Sequence, residues 1–190
     1  MNQGKAENSL FNLLDRILYL TKNILMNTTQ TLVLNARQMS QKIQRMAWEI
    51  YEQNHEEKVI VVAGIAKRGF VLAERIAKTL ANISEIKILL VSIRINKDNP
   101  LGTPVEVDDI DFTNQTVVLV DDVLKSGKTL MYGAQYFMQK PLKRLTTAVL
   151  IDRNYKRYPI KADVVGLSLS TTMQEHVSVE LGNKEAVYLQ

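Results

Sequence analysis

The sequence predicts an α/β fold with a mainly parallel central sheet flanked by helices. Apolar runs of strand length alternate with segments of helical periodicity, which is the order that βαβ units produce. The run at 117–120 is apolar throughout, as expected of a strand buried on both faces of a parallel sheet. With 190 residues and a hydrophobic content of 46%, the chain is long enough to bury one core of ordinary size.

The elements are expected to follow one another in a simple order. We expect helices at 35–53, 70–80 and 129–138, and strands at 59–63, 87–95, 117–120, 145–152 and 162–167. The segment 94–111 is rich in proline, glycine and polar residues, which predicts a mobile loop able to close over a ligand. At the C-terminus, two apolar segments on either side of Gly182 predict a hairpin.

Residues 1–33 are expected to form a partly helical extension before a domain at 34–190. Their apolar residues fall at helical spacing and form an amphipathic stripe, at Leu10, Leu13, Leu14, Ile17, Leu18 and Leu25. Such a stripe is typical of a packing face against the same chain or a partner subunit. Met26 is a second candidate for the first residue of the protein.

Composition narrows the classes of function. The chain has no cysteine, which excludes disulfides, thiolate metal sites and a cysteine nucleophile, and its two histidines argue against a zinc site. The sequence has no apolar run long enough to cross a membrane and no secretory signal, so we expect a cytoplasmic protein. A net charge of +4 favours phosphorylated ligands and leaves nucleic acid open as a partner.

Two adjacent carboxylates, Asp121 and Asp122, directly follow the apolar run at 117–120. Ligands of open α/β sheets bind beyond the carboxyl ends of the strands. Carboxylates there can accept hydrogen bonds from a pair of vicinal hydroxyls, as on a ribose. The pattern therefore predicts a sugar-binding edge, although a strand ending in a solvated acidic turn is the plainer alternative.

The next residues, 125–129, read Lys-Ser-Gly-Lys-Thr and lead into a predicted helix. Loop and helix N–H groups that converge on one point make a site for a monophosphate. A nucleotide-triphosphate P-loop would need glycine at position 122, where the chain has Asp122, and that carboxylate would repel a polyphosphate. A second candidate loop for a polyanion, 64–69, is bounded by glycines and contains Lys67 and Arg68.

Residues 117–129 resemble the phosphoribosyl-pyrophosphate signature of the type I phosphoribosyltransferases. Within that class, the segments 149–153 and 158–163, together with Val165 and Gly166, are similar to the bifunctional pyrimidine-operon attenuation regulator/uracil phosphoribosyltransferase family. The resemblance runs from about Leu34 to the C-terminus. It implies the type I phosphoribosyltransferase fold, with a small hood built from the terminal segments.

The resemblance also assigns roles to residues. It implies that Asp121 and Asp122 bind the ribose and stabilise its developing charge, with Mg²⁺ nearby but no direct protein ligand assigned. Lys97, where the family usually has arginine, is the third catalytic candidate. The 5-phosphate would be bound by Lys125, Ser126, Gly127, Lys128 and Thr129, and the pyrophosphate by Ala66, Lys67, Arg68 and Gly69.

The base site implied by the resemblance comprises Asp152, Val164 and Val165. Purine-specific relatives have an acid at the position of Lys125, so a pyrimidine is favoured, and the expected reaction converts uracil to UMP. Val164 replaces an aromatic residue, although a β-branched side chain can still cover a small ring.

Partners follow from the same resemblance. We expect phosphoribosyl pyrophosphate, a pyrimidine base or UMP, and a homodimer or larger homo-oligomer. Messenger RNA is a further candidate partner, through Arg45, Arg153, Lys156 and Arg157 with tyrosines interleaved in the last cluster. Four such cations can equally form a solvated face. The alternative function is a regulator that senses nucleotide and binds RNA with little or no catalysis.

Overall fold

The computed structural model describes residues 30–96, 102, 104–172 and 174–190. Leu32–Leu189 form one compact unit, and the rest of the chain, Met1–Thr31 with Gln190, is a separate unit described only at its last residues. The amphipathic stripe predicted in the N-terminal extension and the candidate start at Met26 lie outside the described residues. In the part of the chain that the structure describes, no helix is long and apolar enough to cross a membrane.

A six-stranded sheet forms the centre of the fold, in the order β4-β3-β2-β5-β6-β7. Its strands are β2 (Val59–Ile65), β3 (Lys87–Arg94), β4 (Glu106–Val107), β5 (Thr116–Leu124), β6 (Arg144–Asp152) and β7 (Val164–Ser168). All neighbours pair in parallel except β4, which is antiparallel to β3. The predicted α/β class with a mainly parallel sheet is confirmed.

Helices cover both faces of this sheet. The helices are α1 (Ala36–Asn54), α2 (Ala66–Ile83) and α3 (Lys128–Phe137). Residues such as Ile43 of α1 and Ile76 of α2 share a core cluster with Val118 and Val120 of β5. On the opposite face, Phe137 of α3 belongs to a second cluster. Because alternate residues of β5 enter opposite clusters, the strand is buried on both sides, as its apolar run predicts.

A three-stranded sheet brings the two ends of the described chain together. It comprises β1 (Thr31–Asn35), β8 (Val177–Glu180) and β9 (Ala186–Leu189), in the order β1-β9-β8. The C-terminal hairpin is therefore confirmed, and the terminal segments form a small sheet of their own. Strand β1 was not predicted from the sequence, where its five residues lie between the N-terminal extension and the first predicted helix.

Two predicted boundaries are wrong, and one predicted loop contains a strand. β5 ends at Leu124 and not at residue 120, because its pairing with β6 continues beyond the two aspartates. α2 begins at Ala66, so the predicted loop at 64–69 is a strand end followed directly by a helix. The predicted loop at 94–111 contains the short strand β4, whose two residues are too few to produce a visible period.

Candidate functional site

A cavity of about 540 Å³ opens beside the last residues of β5. Many of the residues predicted for the ribose and phosphate sites line it: Arg68, Asp121, Asp122, Lys125, Ser126, Gly127, Lys128 and Thr129. The structure thus brings together the acidic pair, the loop that follows it and one cation of α2. A single ligand can reach all three groups at once.

Asp121 and Asp122 lie inside β5, and each is 4% exposed. The backbone N–H of Asp122 donates to Asp121 Oδ1 over 3.0 Å. Asp122 Oδ2 forms an ion pair with Nε of Arg68, also at 3.0 Å. Two carboxylates are therefore held at the cavity by the strand backbone, and a cation from α2 already opposes one of them. Such fixed carboxylates suit hydroxyl donors or a metal ion.

The loop after β5 is shaped as an anion site. Gly127 has φ 84°, a left-handed conformation that favours glycine, and a Cβ there would lie 2.8 Å from Ile160 Cγ2. The carbonyl of Ser126 accepts from the backbone N–H groups of Arg157 and Tyr158, at 2.9 and 3.0 Å. The segment after β6 thus holds the loop in place. Since α3 begins at Lys128, its first N–H groups lie beside the same cavity.

The first turn of α2 packs tightly against β5. A Cβ on Gly69 would lie 2.9 Å from the carbonyl oxygen of Val120 and 3.4 Å from Asp121 Oδ1. Ala66 itself has φ 55°, so the chain turns sharply between β2 and the helix. Lys67 and Arg68 are exposed beyond this contact, and Nη1 of Arg68 also donates to the carbonyl of Val179 at 3.4 Å. Of the predicted pyrophosphate residues, Arg68 and Gly69 therefore lie beside the acidic pair, and only Arg68 is among the residues that line the cavity.

The residues predicted for the base site do not line the cavity. Val164 is fully buried in the core cluster shared with α1, and the carbonyl of Val165 accepts a hydrogen bond from Arg45. The carboxylate of Asp152 is occupied by Lys156 Nζ at 2.9 Å and by the backbone N–H of Asn154 at 3.0 Å. Strand β7 places the Val164 side chain in the core, and the role of these three residues in binding the base stays a prediction. Lys97 lies outside the described residues.

The four predicted RNA-binding cations do not share one surface. Arg45 is exposed, pairs with Glu49 at 3.0 Å and donates to the carbonyl of Gly166 at 3.1 Å. Arg157 is exposed at the cavity, with its guanidinium 6.0 Å from the ring centroid of Tyr155. Arg153 is 1% exposed, so its side chain is not at the surface in this structure, and its role in RNA binding stays a prediction.

Seven lining residues were missed as site residues by sequence reasoning. Four are apolar residues of β5, α3 and β6, namely Val123, Leu124, Leu130 and Val149, and the others are Tyr155, His176 and Val177. Tyr155 follows the carboxyl end of β6, and the rule that ligands bind beyond strand ends could have pointed to it. His176 and Val177 come from the start of β8, which reaches the cavity through the fold and not through any local motif.

The acidic pair fits a magnesium ion. Magnesium prefers one or two carboxylates, keeps several waters and completes its shell with ligand oxygens. Among the described residues, no group of three or more His, Cys, Asp or Glu side chains is placed to hold a metal by protein ligands alone. Asp121 and Asp122 would thus contribute a part of the shell, and a bound polyanion would supply the rest.

Two sequence comparisons identify the same protein family. The phosphoribosyl transferase domain family matches residues 29–182. The bifunctional protein PyrR of Limosilactobacillus reuteri is 35% identical over 162 residues, covering 78% of this chain and 90% of that protein. The bifunctional protein PyrR of Chloroflexus aurantiacus is 35% identical over 165 residues, covering 82% of this chain and 90% of that protein.

Solved structures share the fold at lower identity. A hypoxanthine-guanine phosphoribosyltransferase of Bacillus anthracis matches with a TM-score of 0.65 and 22% identity, over 84% of this chain and 97% of that chain. The hypoxanthine phosphoribosyltransferase of Trypanosoma cruzi matches with a TM-score of 0.69 and 16% identity, over 84% and 95% of the two chains. At such identities the likeness shows a common fold and says nothing about the base.

Proposed function

The chain belongs to the phosphoribosyltransferase family as a PyrR-like, type I member, and from this premise we propose that it makes UMP from uracil and phosphoribosyl pyrophosphate. In this reaction uracil N1 bonds to ribose C1 while the bond from C1 to the pyrophosphate oxygen breaks. The bonding electrons leave with pyrophosphate, and the N1 proton passes to water. The observation that carries the proposal is one cavity lined by both the buried acidic pair and the loop at 125–129.

The acidic pair acts on the ribose. The carboxylates of Asp121 and Asp122 accept hydrogen bonds from the 2- and 3-hydroxyls and stabilise the positive charge that develops on the ring. Because both side chains are fixed by burial, little reorganisation is needed as that charge develops. When bound beside Asp121 and Asp122, Mg²⁺ would neutralise charge on the pyrophosphate.

The loop at 125–129 and helix α2 bind the two anionic ends of the substrate. N–H groups at Gly127 and Lys128, with the Lys125 ammonium, bind the 5-phosphate and orient ribose C1. Arg68 leaves Asp122 and turns to the departing pyrophosphate, which is a stronger anion than a single carboxylate. Positioning and electrostatics supply most of the rate, because uracil needs no strong general base for this displacement.

The direct test is turnover by the full chain. The purified protein is mixed with phosphoribosyl pyrophosphate, Mg²⁺ and each nucleobase in turn, and both pyrophosphate release and the mononucleotide are measured. We expect UMP formation that depends on uracil. Turnover with hypoxanthine or guanine in place of uracil would overturn the substrate assignment. Saturable UMP binding without turnover for any base would leave only the second candidate.

That second candidate is a nucleotide-sensing regulator of pyrimidine genes that binds messenger RNA, alone or beside catalysis, as a homo-oligomer. Two observations favour RNA binding: the PyrR relatives are named as bifunctional proteins, and Arg45 is exposed on α1. We expect Arg45→Ala to weaken RNA binding. The slope of log K for RNA binding against log salt concentration should fall in magnitude by about 1. Glu49→Gln is the matched control, since it removes the partner of Arg45 and keeps the cation. Equal RNA binding by wild type and Arg45→Ala would refute this surface.

A further inference from the structure

Arg157 is an exposed cation at the cavity, and its backbone is bonded to the loop at 125–129. Its backbone N–H donates to the carbonyl of Ser126 at 2.9 Å, and the N–H of Tyr158 donates to the same oxygen at 3.0 Å. A Cβ on Gly127 would lie 3.4 Å from Tyr158 Cβ, so the two segments are in close contact. The side chain of Arg157 is exposed and is among the residues that line the cavity. The guanidinium is therefore accessible to a ligand bound on this loop.

Two neighbouring cations, Lys156 and Arg153, already have partners. Lys156 Nζ forms an ion pair with Asp152 Oδ2 at 2.9 Å. Arg153 is 1% exposed, and its guanidinium donates to three acceptors in the segment at 171–175. By contrast, no ion pair within the described residues joins Arg157 to a carboxylate. Its positive charge is therefore open to an anionic ligand.

The guanidinium of Arg157 lies over the ring of Tyr155, at 6.0 Å from the ring centroid, and Tyr155 also lines the cavity. A guanidinium in this position uses its face for the aromatic ring and keeps the N–H groups of its edge for other acceptors. The edge of a guanidinium matches two oxygens of one phosphate group. A phosphate is therefore the anion that this arrangement fits best.

The position of Arg157 decides between the two anionic ends of the substrate. The pyrophosphate end is assigned above to Arg68, which lies on α2 and pairs with Asp122. Arg157 is instead bonded to the loop at 125–129, whose N–H groups are proposed to bind the 5-phosphate. A phosphate monoester carries roughly 1.5 to 2 negative charges at pH 7. Neutral N–H groups balance only a part of that charge, so a cation beside them strengthens the site.

We infer that Arg157 binds the 5-phosphate of the substrate and of UMP, as a cation supplied from outside the loop at 125–129. The inference rests on the proposed function and adds a charged contact from the segment between β6 and β7. Because the donors of a guanidinium lie in one plane, the contact also orients the phosphate and, through it, ribose C1. Contact with RNA is the competing role of this side chain.

The test uses two ligands that share the phosphate. Affinities of ribose 5-phosphate and UMP are measured by calorimetry for wild type, Arg157→Gln and Lys161→Gln. We expect Arg157→Gln to weaken both ligands by about 10-fold, as for loss of a charge-assisted hydrogen bond at an open site. Lys161→Gln is the matched control and should bind both ligands as wild type does. Lys161 is an exposed cation of the same segment and is not among the residues that line the cavity.

Three results would overturn the inference: weakening of UMP alone, weakening of RNA binding alone, or equal effects of Arg157→Gln and Lys161→Gln. Arg157→Lys keeps the charge and loses the fork, so it should show a smaller loss of the same kind. It also keeps the test valid if Arg157→Gln fails to fold.

Steady-state kinetics give a readout that a purely structural role would not produce. In Arg157→Gln the KM for phosphoribosyl pyrophosphate should rise by about 10-fold, while the KM for uracil should change little. An equal rise of both KM values would also overturn the inference. Wild type that binds ribose 5-phosphate but makes no UMP would refute the proposed function, and the loss of ribose 5-phosphate affinity in Arg157→Gln would still test the inference. Wild type that does not bind ribose 5-phosphate would overturn both.

Discussion

The carboxylate of Asp122 is buried at the cavity and opposes Arg68, whose side chain is 55% exposed. Replacing Asp122 with Asn keeps the shape and removes the charge that would stabilise the ribose cation. We expect Asp122→Asn to lower kcat/KM by about 100- to 1,000-fold, in the range found when one preorganised group is lost. Steady-state measurement of pyrophosphate release would determine this value.

Folding should change little in the same variant. An ion pair with one half-exposed partner contributes about 0–1 kcal/mol to the free energy of unfolding. Removing the charge of Asp122 also relieves its repulsion with the neighbouring carboxylate of Asp121. Asp111→Asn is a suitable control, because Asp111 is an exposed acid paired at 3.7 Å with Lys140 and is not among the cavity residues. A variant with wild-type turnover would exclude Asp122 from the chemistry.

Single residues differ in how well the sequence alone reveals them. Asp122 and Gly127 belong to one continuous run, so their proximity follows from local chain geometry. Arg153 and Val164 look like a surface cation and a ring-binding side chain, yet both are buried. Their burial depends on which elements pack over them, namely the 171–175 segment and α1, and a lone sequence contains no signal for that contact.

Among the elements, helix α2 packs closely against strand β5 beside the site. Gly69 lies in its first turn, and a Cβ there would meet the carbonyl of Val120 at 2.9 Å. We expect Gly69→Ala to push the helix from β5, to destabilise the fold by about 1–3 kcal/mol and to reduce turnover. Gly182→Ala is the matched control, since a Cβ on Gly182 has no neighbour within 4 Å. Denaturant unfolding of the two variants measures the difference, and equal stabilities would contradict this packing.

The 171–175 segment holds an exposed carboxylate that should respond to acid. The backbone N–H and the hydroxyl of Thr172 stabilise the carboxylate of Glu175 and hold its pKa below the usual 4.5. Because the folded pKa is the lower one, this contribution to stability is complete above 4.5 and is lost as the pH falls through the folded value.

NMR can follow that response directly. We expect Glu175 to titrate below 4.5, and the Thr172 amide to lose its protection over the same range. In Glu175→Gln the protection should be weaker and independent of acid. A Glu175 titration at or above 4.5 would show that the bond to Thr172 is not formed in solution.

The order of elements was predictable, whereas several of their ends were not. Among the described residues, the sequence pattern identified strands β2, β3, β5, β6 and β7 and helices α1, α2 and α3. The two aspartates were expected to end β5, because charged residues are rare in buried strands, but pairing of Leu124 with Asp152 extends it. Glycines at 64 and 69 suggested a loop, whereas Gly69 is needed for close packing of a helix. In both places, contacts with a neighbouring strand override the local preference.

At the scale of the whole molecule, both described core clusters and the cavity are built from residues of one compact unit. Leu32–Leu189 form this compact unit, the family match begins at residue 29, and the described residues that line the cavity lie between Arg68 and Val177. The division into an extension at 1–33 and a domain at 34–190 stays a prediction. It can be tested by shortening the chain from its start.

We expect a chain that begins at Met26 to keep its Tm and its turnover, because it retains β1 and both described core clusters. A chain that begins at Ala36 is the matched comparison. It loses β1, and with it buried Leu34 and the strand beside β9, so it should unfold at lower temperature. Burial of Leu34 alone contributes about 1.5–3 kcal/mol. Calorimetry and the UMP assay on both chains measure these effects. Loss of turnover in the chain that begins at Met26 would show that the extension belongs to the working enzyme.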